Sequence, residues 1–135
     1  MHISKLFGEN IRFLRKAAGI ASRGNGFSQQ EIADMLGVSR KTIVFWESGQ
    51  IPSPKKLALL CELFTRRLSL GEPLTPEDLL DKNIADYFIL IPERAEVRQV
   101  KPNQKEMLNK IFMRASNLTE NDLEKILEII DKFSK

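Results

Sequence analysis

At 135 residues and 42% hydrophobic content, the chain is long enough for one compact domain plus a smaller appendage and too apolar for global disorder. Net charge is only +3 but unevenly spread: residues 1–60 carry nine Lys/Arg against four Asp/Glu, residues 61–81 two against five, and residues 82–135 ten against nine. One cysteine, Cys61, and one histidine, His2, exclude an intrachain disulfide and a cysteine-rich zinc site.

In chain order, residues 3–18 read as a helix. Phe7, Ile11, Leu14 and Ala18 recur at four-, three- and four-residue intervals, and Glu9, Arg12 and Lys16 fall largely on the other side. From Gly19 to Gly26 three glycines argue for a flexible loop. Residues 28–49, SQQEIADMLGVSRKTIVFWESG, then read as two short helices around a tight turn. Ser28 is an N-cap with Glu31 at capping-box distance, and Ile32, Ala33 and Leu36 form one apolar face. Gly37 stands where the chain must stop the helix and reverse. Ser39 caps a second helix that carries Ile43 and Trp46 inward, and Gly49 closes it. Such a pair, with a basic start to its second helix, has the parts of a DNA-reading helix-turn-helix.

Ser53-Pro54 opens a further helix with Leu57, Leu60, Cys61 and Phe64 on one face, where Cys61 is expected to be a buried small hydrophobe. Thr75-Pro76 with Asp78 repeats the start signal, so five helices are complete by about residue 82. The apolar run 87–91 ends at Pro92, and residues 96–100 alternate weakly. A strand pair around residues 92–95 and an extended linker are both compatible with this text. After Pro102 come a helical stripe of Leu108, Ile111, Phe112 and Ala115, then a final helix capped by Thr119 with Asp122 and bearing Leu123, Ile126, Leu127, Ile130 and Phe133. Two helices of this size cannot bury their stripes alone. The expected organisation is a DNA-binding domain over 1–82, a linker or short extended segment over 83–102, and a C-terminal helical region over 103–135. The fold class is all-α. No apolar run approaches a membrane span of roughly 18 residues and no signal-peptide core follows Met1, so a cytoplasmic protein is expected.

Residues 7–80 resemble the DNA-binding domain of the XRE family, the Cro and lambdoid-repressor type. The text that carries the resemblance is Arg15-Lys16, 28–33 (SQQEIA), 36–39 (LGVS), Thr42-Ile43 and 46–49 (WESG), followed by Pro52 or Pro54. The resemblance implies a five-helix domain that binds double-stranded DNA. It implies that Gln29 bonds a phosphate and braces the reading helix, that Arg40, Lys41 and Phe45 face base edges, and that Ser39 and Thr42 sit where phosphate or base contacts occur. Arg15 and Glu47 match a partly buried structural ion pair. Phe45 either touches thymine methyls or packs under the following helix. The segment 20–26 is longer than the family's usual connection, which sets Arg23 beside the DNA backbone as a phosphate contact or leaves it solvated.

The expected function is a repressor-type transcriptional regulator that recognises a palindromic operator as a homodimer, paired through 103–133 or through the fifth helix. The alternative is an antitoxin or anti-repressor module whose C-terminal segment binds a protein partner. No catalytic constellation, metal or cofactor is expected.

Overall fold

A computed structural model describes residues 3–114 and 120–133. Among the described residues, seven α-helices run in the order α1 (Ile3–Arg23), α2 (Gln29–Leu36), α3 (Arg40–Glu47), α4 (Pro54–Arg67), α5 (Pro76–Asp81), α6 (Pro102–Arg114) and α7 (Glu120–Phe133). Between α5 and α6 a hairpin pairs β1 (Phe88–Ile91) with β2 (Glu96–Gln99). The fold is therefore mostly helical, as expected, with one small sheet added.

The chain divides into two compact units, each described by itself. The first contains α1 to α5 and residues 90–97. Its core joins Phe7, Ile11 and Leu14 of α1 with Ile32 of α2, Ile43 of α3, Leu60 and Phe64 of α4 and Leu79 of α5, all fully buried. These are the periodic apolar positions of each helix, so the apolar stripes fold onto one another. Cys61 lies in the same core; burial, with the charge of Asp78, pushes its thiol up to about 11.

Local chemistry sets the helix boundaries. The Ser28 hydroxyl accepts the Glu31 N–H and the Glu31 carboxylate accepts the Ser28 N–H, closing the capping box. Thr75 and Asp78 do the same for α5, and Ser53 with Pro54 opens α4. Gly37 stops α2 at φ 69°, a left-handed conformation that costs a glycine nothing. At the end of α3 the cap is Ser48, with Gly49 following it.

The expected loop over residues 20–26 is corrected: α1 continues through Arg23 before Gly24 ends it. Ile20 is buried and extends the apolar stripe by another turn. Gly19 confers close approach and not flexibility, because a Cβ there would collide with the backbone of residues 25–27 folding back across the helix. Gly8 plays the matching part nearer the start, where α1 runs against the Glu47 carbonyl.

One buried polar side chain ties the ends of this unit together. Asn10 donates through Nδ2 to the Leu79 and Lys82 carbonyls, at 2.9 and 2.6 Å, and accepts the Ile84 N–H at 3.0 Å. It thus satisfies carbonyls that the end of α5 leaves without helical partners.

Of the two expectations for residues 83–102, the strand pair is the one that forms. Pro92 to Arg94 make a 3-10 turn, and Ala95 at φ 50° brings the chain back into β2. The second unit holds residues 86–89 and those from 98 onward, including α6 and α7. Leu108 of α6 and Ile126 of α7 are buried, as their places in the stripes predict. Met107 and Ile129 are exposed. The expected cap at Thr119 and the position of Ala115 lie outside the described residues.

Candidate nucleic-acid interface

Helix α3 is two-faced. Ile43, Trp46 and Glu47 are buried, whereas Arg40, Lys41, Val44 and Phe45 are exposed. At about 100° per residue, Lys41, Val44, Phe45 and Ser48 share the side opposite Ile43. Phe45 keeps 45% of its surface in water, so it projects outward and does not pack beneath α4. The Lys41 ammonium stands 5.6 Å from the centre of its ring. Ser39 and Thr42 are joined at the start of the helix: the Ser39 hydroxyl accepts the Thr42 N–H at 3.2 Å and lies 3.0 Å from the Thr42 hydroxyl.

The helix is pinned from behind through Glu47. Arg15 grips that carboxylate with two donors, Nε at 2.7 Å and Nη2 at 2.9 Å. Its third donor, Nη1, reaches the Phe27 carbonyl at 2.8 Å. A planar guanidinium thus joins α1, the α3 end and the approach to α2. Gln29 extends the network, its Nε2 lying 3.3 Å from Glu47 Oε1, so the first residue of α2 braces α3. Arg12 adds a looser contact of 3.6 Å, which nothing in the local sequence marks. With Ser4, Lys5, Glu9, Glu47 and Ser48 it lines an open depression of mixed charge beside the end of α3.

Arg23 does not stand free in a loop. Its guanidinium binds both oxygens of Glu31, at 2.7 and 2.8 Å, donates to the Gly26 carbonyl at 2.8 Å and lies 4.7 Å from the centre of the Phe27 ring. Arg67, at the end of α4, approaches the same ring at 5.9 Å. Hydrogen bonds from Arg23 and from the Ser28 N–H hold the Glu31 carboxyl down to about 2. Contact with Glu31 raises the Arg23 guanidinium in turn. Arg23 therefore clamps the last turn of α1 to the first turn of α2.

The exposed start of α3 carries Arg40 and Lys41 with no acidic residue in its first turn. Cations there oppose the helix dipole, an arrangement mildly unfavourable to folding and suited to a polyanion. Beside them, Val44 is an exposed apolar residue, and its place one turn beyond Arg40 and Lys41 is the sequence signal that marks it. Among the described residues no group of three His, Cys, Asp or Glu is placed to hold a metal ion, and no helix is long and apolar enough to cross a membrane.

Residues 23–70 match the helix-turn-helix family model, a span that takes in α2, α3 and α4. No curated protein and no solved structure matches the chain. The capping box, the glycine turn, the pinned second helix and the family match agree in one register, and residues 23–70 form a helix-turn-helix of the XRE type, the DNA-binding module of regulators of that kind.

Proposed function

We propose that the chain is a sequence-specific transcriptional repressor that inserts α3 into the major groove of a palindromic operator as a homodimer. The observation that carries this reading is the asymmetry of α3: one face is locked to α1 and α2 through Glu47, and the other presents Arg40, Lys41 and Phe45 to solvent. In the bound state Arg40 and Lys41 donate to guanine O6 and N7, each good pair contributing roughly 1–3 kcal/mol of discrimination. The Gln29 amide and the start of α2 meet a phosphate, and Ser39 and Thr42 line the same backbone. Arg23 serves this surface indirectly, by fixing the start of α2 through Glu31.

A single motif buries too little surface for operator-level affinity, which supports pairing. The second unit, with Met107 and Ile129 exposed on α6 and α7, is the proposed dimer element. Selection of bound sequences from a random duplex pool tests the reading. The expected product is a palindrome with half-sites about one helical turn apart. No enrichment even at low salt would remove the reading.

A further inference from the structure

We infer that Val44 and Phe45 form an apolar reading head for the 5-methyl group of a pyrimidine, next to a guanine contacted by Lys41. This rests on the DNA-binding reading above. Two adjacent large apolar side chains are exposed on α3, 38% for Val44 and 45% for Phe45, although Ile43 and Trp46 already supply its buried face. They contribute little to the core, so their identity is free to serve a ligand.

The chemistry around them selects that ligand. Arg40 and Lys41 stand one helical turn before the pair, which gives charge complementarity to a polyanion and argues against an apolar protein surface as the occupant. Within the major groove the base edges are hydrogen-bond donors and acceptors, with one apolar feature, the C5 methyl of thymine. A C5-methylated cytosine places the same group on a C·G pair. An exposed Phe beside a Val matches a methyl and offers nothing to the polar edges.

Lys41 sets the neighbouring contact. It lies one helical turn before Phe45, about 6 Å along the axis, which corresponds to fewer than two base steps of about 3.4 Å. Its ammonium stands 5.6 Å from the centre of the Phe45 ring, and 45% of the Phe45 surface stays exposed. The recognised half-site therefore contains a guanine and a 5-methyl pyrimidine on adjacent or next-adjacent base pairs.

The test uses the full chain and a duplex recovered by selection, with each thymine replaced in turn by deoxyuridine, which lacks only the methyl. At one or two positions wild-type binding should weaken about fourfold, the value of burying one methyl group. Phe45→Ala should bind more weakly overall and lose that sensitivity at the same position, whereas Phe45→Leu should retain part of it. A cytosine placed there should bind more tightly when methylated at C5. Indifference of the wild type to deoxyuridine at every position would overturn the inference while leaving operator binding intact. So would a deoxyuridine penalty unchanged in Phe45→Ala; full DNA affinity in that variant would instead assign the apolar pair to a protein partner. Failure to select any duplex would remove both the inference and the reading beneath it.

Discussion

Arg23 holds both carboxylate oxygens of Glu31, at 2.7 and 2.8 Å, while the same carboxylate accepts the Ser28 N–H at 2.9 Å. One anion thereby joins the last turn of α1, the cap of α2 and the chain between them. Its carboxyl is held down to about 2 from an ordinary 4.5, so the native state favours the ionised form. The stabilisation is complete above about pH 4.5 and is lost as pH falls through 2. Thermal unfolding of wild type and Glu31→Gln should differ at pH 7 and converge across that window. A gap that stays constant down to pH 2 would rule out the clamp as the source of acid sensitivity.

Glu47 and Arg40 should separate stability from recognition. Glu47→Ala leaves Arg15 without its buried partner and is expected to cost about 3–5 kcal/mol in urea unfolding. Arg40→Ala, at an exposed position, should stay within about 0.5 kcal/mol of wild type in stability. Its selected-duplex affinity should fall by about 1–3 kcal/mol, read by titration at fixed salt. Equal loss of stability in both variants would contradict the division of α3 into two faces.

Asn10 should be intolerant of truncation. Asn10→Ala strips partners from the Leu79 and Lys82 carbonyls and the Ile84 N–H, and each buried group left unsatisfied costs about 1–3 kcal/mol. Denaturant midpoints measure this directly. A neutral substitution would mean that water takes over all three bonds.

Cys61 should resist alkylation in the folded protein at pH 8, since burial and Asp78 push its thiol up to about 11 and it is 5% exposed. Labelling should track global unfolding. Above about pH 9 the unfolded thiol ionises more readily than the folded one, so this group favours unfolding as pH rises towards 11.

Removal of residues 103–135 should turn a dimer into a monomer by sedimentation, with the first unit still helical by circular dichroism. An unchanged mass would move the interface to α1–α5.

The legible parts of this fold are those whose cause lies within a few residues. Ser28 with Glu31, Ser39, Ser53-Pro54 and Thr75 with Asp78 could be placed because a cap and its partner are three residues apart. The outward direction of Lys41 was implied only by the family resemblance, and Phe45 could have packed under the next helix until its exposure decided the matter. What stayed hidden depends on distant partners. Gly19 reads as a loop residue until residues 25–27 are seen to lie across it. Arg23 reads as a free cation until Glu31 is brought opposite it, and Asn10 has no signal at all, because its partner Ile84 is 74 positions away. The hairpin was ambiguous because strands of four residues are too short to establish a period.

The two crossing points on α1 make that helix a measuring rod. Gly8 marks where it touches the end of α3, and Gly19 where it touches the approach to α2. From 8 to 19 is three helical turns, about 16 Å, so both marks fall on nearly the same side of the rod. Adding or removing one residue between them would rotate one mark about 100° away from the other. The length of α1 between its glycines is therefore constrained by the two crossings it has to serve at once, whatever side chains stand in that interval.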